Sequence, residues 1–231
     1  MDPAQALGFT SFITHTDGIG KGILAILLLM SVATWYLIVT KALTVWQERR
    51  RSAGFLETFW NEPSSAALES QLEESHPDEP FAHLAWHAVA ARRKGNDEFL
   101  SRAMRRVIDE DTARIESGLT VLASVGSTAP FVGLFGTVWS VYHALVNIGL
   151  SGQGTLDKVA GPVGEALIMT ALGLAVAVPA VLAYNAFVRS NRLVLAKLDA
   201  YAHDLYAVLT TGSSIPAPGA VVQLKTAVKG A

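Results

Sequence analysis

GSTAPFVGLFGTVWSVYHALVNIG (126–149) and AGPVGEALIMTALGLAVAVPAVLAYN (160–185) decide the fold of this chain. Both are long and apolar, and the polar link LSGQGTLDK (150–158) joins them. They are rich in Gly, Ala, Ser and Thr, and Glu165 is their only carboxylate. No hydrophobic force holds helices together in lipid, so stripes of small side chains mark backbones that approach closely. In the first segment Pro130, Gly133, Thr137, Ser140, Ala144 and Asn147 recur on one helical face. In the second, Ala166, Thr170, Gly173, Ala177 and Ala180 do the same. Gly136 adds another small position. Pro162 suits the first turn of a helix. Pro179 lies inside one, where it kinks the helix or frees the Ala175 carbonyl.

The rest of the composition agrees with two helices in a membrane. Of the residues, 51 % are hydrophobic and 16 % charged, and the apolar ones come in blocks, the pattern of a membrane protein. A net charge of −2 gives no overall basic character for nucleic acid. The absence of cysteine excludes disulfides, thiolate metal sites and a Cys nucleophile.

Crossing a hydrocarbon core takes about 20 mostly apolar helical residues. Gly22–Thr40 and Ser117–Leu156 contain no charge, and Val159–Val188 contains only Glu165. Lys41 and Arg49–Arg51 follow the first span, Arg102, Arg105, Arg106 and Arg114 precede the second, and Arg189, Arg192 and Lys197 follow the third. The other side carries only Lys21 and Lys158. The positive-inside rule then places the N-terminus outside, with 42–116 and the C-terminus in the cytoplasm. The first span reads as a retained anchor rather than a cleaved leader, because its apolar run continues to Val39 without an A-x-A site.

The expected architecture is an all-α integral membrane protein with three transmembrane helices. The second and third are long and extend into a cytoplasmic helical bundle. Segment 1–18 is periplasmic, 19–41 the first span, 42–116 a cytoplasmic helical region and 117–150 the second span. Residues 151–158 form a periplasmic loop, 159–188 the third span, 189–211 a cytoplasmic extension and 212–231 a flexible tail. The first helix is predicted to continue to about Asn61. Pro63-Ser64-Ser65 starts a short helix with Leu68 and Leu72, and residues 76–80 form a turn. Phe81–Lys94 reads as a helix, and Asn96 or Asp97 caps the next. Nothing but Gly126 and Pro130 interrupts that helix from Asp97 to about Gly149. The last is expected from about Pro162 to Leu209, with a seam at Val194, Leu198, Tyr201, Leu205 and Val208.

Thr137 and Thr170 each have two readings: a bond to the carbonyl four residues back, or a hydroxyl offered to a polar cavity or a partner's carboxylate. A carboxylate such as Glu165 within a membrane segment is costly and by default a functional hypothesis. It lies six residues from Val159, so a position near the outer surface stays open. His83 and His87 form the one i, i+4 histidine pair, with no third ligand evident. The sequence shows no nucleophile–base constellation, metal site or cofactor-binding motif, so an enzyme is not expected.

APFVGLFGTVW (129–139) and GPVGEALIMTALGLAVAVPAVLAYN (161–185) closely resemble the MotA/TolQ/ExbB proton-channel family, and within it the ExbB branch. The resemblance implies a homopentamer in the bacterial inner membrane whose second and third spans line a central pore. An ExbD-like single-span partner places its helices in that pore. The complex uses the proton motive force to energise a TonB-like protein for uptake of iron chelates and vitamin B12. By motif, Thr137 and Thr170 match the threonines facing the pore and the partner's aspartate, Glu165 the family's intramembrane glutamate, and Pro130 the proline opening the second span. Ser140 departs from the usual GTVWG, adding a hydroxyl to the pore lining, and Met169 stands where Ala is common. The alternative is a TolQ-like subunit of the envelope motor. A passive scaffold or a small-solute transporter is more remote, and a transporter usually shows paired repeats.

Overall fold

A computed structural model describes residues 17–61, 79–151 and 156–211; at 58, 60, 61, 151, 156–160, 162 and 165 only the backbone is described. Among the described residues there are five helices: α1 Gly18–Asn61, α2 Pro80–Lys94, α3 Asp97–Glu116, α4 Leu119–Ser151 and α5 Leu156–Thr211. The chain divides into two compact units, Met1–Ala42 with Ser117–Arg189, and Leu43–Glu116 with Ser190–Ala231. The helix and turn expected within 62–78, and the tail after Thr211, lie outside the described residues.

The first unit is built from the N-terminal half of α1, from α4 and from the first part of α5. Among the described residues, three stretches, carried on α1, α4 and α5, are long and apolar enough to cross a membrane. Its core is slender: Ile23 and Leu27 of α1, Val125 and Ala129 of α4, and Met169, Ala177 and Ala180 of α5. Large apolar side chains such as Leu28, Leu29, Phe131 and Leu182 remain exposed. Water would penalise that surface; lipid or a second apolar surface does not.

The second unit packs like a soluble protein. The Tyr201 ring lies at its centre, edge-on to Phe59, Phe81 and Phe55 at centroid distances of 4.8, 5.6 and 6.2 Å. Leu84, Leu100, Leu198 and Leu205 are fully buried around it. The 4-3-4-3 seam of α5 is therefore the stripe that enters this core, with Val194 at its edge. Asn96 caps α3, accepting the Phe99 N–H at 3.0 Å, as the sequence suggests. Asp111, buried on α3, accepts from Arg114 at 2.9 Å and contacts the His83 ring at 3.0 Å. Burial of Tyr201 pushes its hydroxyl well above the ordinary tyrosine range, and nearby Glu79 pushes the same way.

Two boundaries differ from expectation. The helix expected from Asp97 to Gly149 is broken at Ser117-Gly118, where Gly118 takes φ 77°. That left-handed conformation carries little penalty only for glycine. Near the break, the buried Asn191 side chain donates to the Ile115 carbonyl at 3.1 Å. The last helix begins at Leu156, so Pro162 is an interior residue rather than a first-turn one. Pro130 also lies inside a helix, α4, which continues through it.

Candidate site on the α4–α5 hairpin

Glycine brings α4 and α5 together. A Cβ at Gly133 would lie 2.6 Å from the Met169 carbonyl oxygen and 3.0 Å from the Gly173 Cα. A Cβ at Gly173 would lie 2.7 Å from the Ala129 carbonyl oxygen. The two glycines face each other at a backbone–backbone crossing that admits no side chain. Gly136 sits against Met169 and Ile23, and Gly126 against Val181. Ala166, Gly173, Ala177 and Ala180 are buried, so the α5 stripe is a packing face as read. On α4 the buried residues are instead Leu119, Leu122, Val125, Gly126, Ala129, Gly133 and Gly136. Of the expected α4 stripe, Gly133 is among them, Pro130, Thr137 and Ser140 lie at their margin, and Asn147 is exposed.

That margin carries the polar geometry. The Thr137 and Thr170 hydroxyls lie 2.5 Å apart. Thr137 Oγ1 is also 3.0 Å from the Ala166 carbonyl oxygen and 3.2 Å from that of Gly133. Of the two readings of Thr137, the bond to the carbonyl four residues back is present, and a link across to α5 that neither reading included stands beside it. Two hydroxyls have two protons to donate. One bond joins them and the other goes to a carbonyl, which leaves oxygen lone pairs able to accept from an incoming donor such as a protonated carboxyl group.

Depth follows from two contacts. The Trp139 indole donates to Asp17 at 2.7 Å, and Asp17 caps the start of α1 through Gly20 N–H at 2.8 Å. The Thr137 level is thus about one helical turn from where α1 begins. The backbone of Glu165, adjacent to Ala166, lies at that same level. Its side chain, and that of Pro162, lie outside the described residues. Ser140 is half-buried one turn beyond Gly136. Pro179 stands half-buried on α5, beside buried Ala180.

Sequence reasoning missed Asp17, Asn191 and Asp111, whose partners are 122, 76 and 28 residues away. No local pattern marks such pairs. The His83 and His87 rings lie edge to face at 4.8 Å, and His83 is turned toward Asp111. Among the described residues no group of three His, Cys, Asp or Glu could hold a metal.

A family model described as the MotA/TolQ/ExbB proton channel family matches residues 61–200, the larger part of the chain. A protein named biopolymer transport protein ExbB from Xanthomonas campestris pv. campestris is 41 % identical over 93 % of this chain and 94 % of its own length. A protein of the same name from Neisseria meningitidis is 40 % identical over 84 % of this chain and 93 % of its own. A Tol-Pal system protein TolQ from Pseudomonas aeruginosa is 32 % identical over 86 % and 91 %. With its glycine-packed hairpin and three apolar helices, the chain is a membrane protein belonging to the MotA/TolQ/ExbB proton channel family.

Proposed function

We propose that this chain is the ExbB-type subunit of a proton-driven energy-transducing complex. Five copies form a ring in the bacterial inner membrane, with the N-terminus periplasmic and the second unit cytoplasmic. The α4 and α5 spans line its pore, which holds the helices of an ExbD-like single-span partner. Proton flow moves those helices, and the motion reaches a TonB-like protein that powers outer-membrane import of iron chelates and vitamin B12. The observation that carries this reading is the Thr137–Thr170 hydroxyl pair at the margin of the glycine crossing. It offers acceptor sites about one turn below the start of α1, where a partner's protonated carboxyl can dock. Glu165, and Ser140 with its extra hydroxyl, complete the polar lining. The chain contributes one carboxylate and no series of them to its spans, so the titrating group belongs to the partner.

A TolQ-type subunit is the second reading, favoured by the TolQ relative at 32 % identity. Higher identity to proteins named ExbB supports the first. Affinity purification of the native complex separates them. Recovery of ExbD- and TonB-like chains is expected, and recovery of TolR- and TolA-like chains instead would overturn the ExbB assignment.

A further inference from the structure

We infer that Asp17 is a positioning residue that fixes the Thr137 turn of α4 by holding the Trp139 indole. The functional consequence rests on the reading proposed above. The two carboxylate oxygens of Asp17 have separate tasks. Oδ1 accepts the Gly20 N–H at 2.8 Å and starts α1, while Oδ2 accepts the Trp139 indole N–H at 2.7 Å. Partial burial pushes the carboxyl up, but the indole, the Gly20 N–H and nearby His143 outweigh it and hold Asp17 below the usual carboxylate range. An ionised acceptor makes the shorter and stronger kind of hydrogen bond.

Trp139 is well placed to transmit that hold. It follows Thr137 by two residues, and its ring lies 4.4 Å from that of His143. On the same turn, Gly136 meets Ile23 of α1 and Met169 of α5. The rotation of this turn about the α4 axis is therefore held from α1 at two points, Asp17 and Ile23. That rotation aims the Thr137 hydroxyl at Thr170 and the Ala166 carbonyl. A helix moving in the pore pulls on this hydroxyl, and the Asp17–Trp139 bond resists the turn being dragged with it.

Asp17→Ser separates this role from simple capping, because serine caps a helix well but is too short to reach the indole. Trp139→Phe removes the donor and keeps an aromatic ring beside His143. Each variant, and the pair together, is compared in the reconstituted complex by amide hydrogen exchange and by proton flux down an imposed gradient. Exchange at Gly136–Ser140 is expected to rise about three- to ten-fold in either single variant, the factor one hydrogen bond supplies. The first turn of α1 should be unchanged, and the double variant no worse than the singles. Proton flux should fall in parallel. Unchanged exchange at Gly136–Ser140 in Asp17→Ser, or effects that multiply in the double variant, would overturn the inference. A wild-type complex that passes no protons down the gradient would overturn the functional reading, and the exchange data would still decide the role of Asp17.

Discussion

Thr137 and Thr170, on different helices, place their hydroxyl oxygens 2.5 Å apart beside a crossing at which Gly133 and Gly173 meet backbone to backbone. The crossing makes the hydroxyl pair possible, since a side chain at either glycine would push the helices apart. The two features should therefore respond differently to substitution, the glycines through assembly and the threonines through function.

Gly133→Ala and Gly173→Ala each put a methyl group against a backbone oxygen, at 2.6 and 2.7 Å, which cannot swing away. Each is expected to destabilise the first unit by about 1–3 kcal/mol, the cost of overpacking. Gly149→Ala, which meets nothing within 4 Å, is the control and should cost nothing, with a small gain where alanine favours the helix. Thermal unfolding of the detergent-solubilised protein reads the difference.

Thr170→Val keeps the shape and removes the hydroxyl. Hydrogen bonds between membrane helices are worth about 0.6 kcal/mol on average and about 1.7 at most. Stability should change by no more than that, and Thr137→Val should add little to it. A stability loss well beyond this range would make the pair a structural clamp rather than a polar lining.

Gly118→Ala forces a side chain into the left-handed region at φ 77°, with Leu37 Cδ2 only 3.3 Å from the new methyl. The expected cost is about 1–2 kcal/mol. Asn, which tolerates this conformation, should cost less. Equal losses for both variants would place the cost in the Leu37 contact and not in the backbone.

Burial raises the Glu79 carboxyl above its ordinary value of 4.5, against bonds from Ser52 and the α2 amides that lower it. Its folded value exceeds its unfolded one, so the native state holds the proton more tightly. Stability of the second unit is therefore fullest below the unfolded value and declines as pH rises toward the folded one. Glu79→Gln, which mimics the protonated form, should stabilise this unit at neutral pH and have little effect in acid. Thermal unfolding across the pH range tests the sign.

The residues that encode packing were the most legible. The α5 stripe and the Leu198–Tyr201–Leu205–Val208 seam repeat with helical period, and both are buried apart from the half-buried Thr170. On α4 the same logic selected a face displaced toward Pro130, Thr137 and Ser140, because small and weakly polar residues mark a packing face and its polar margin alike. The break at Gly118 was hidden because one glycine without a proline looks like a tolerated interior residue. Asp17, in a polar lead-in, gave no sign of reaching Trp139, since a contact across 122 residues has no periodicity to announce it.

Proton flux down an imposed gradient through the reconstituted complex, comparing wild type with the Thr137→Val/Thr170→Val double variant, tests the central claim most directly. On the function proposed above, the double variant should assemble with its partner as the wild type does, yet lose at least about ten-fold in proton flux, as when a group that positions the reacting proton is removed. Full proton flux through an assembled double variant would contradict the proposed assignment of this hydroxyl pair to the pore.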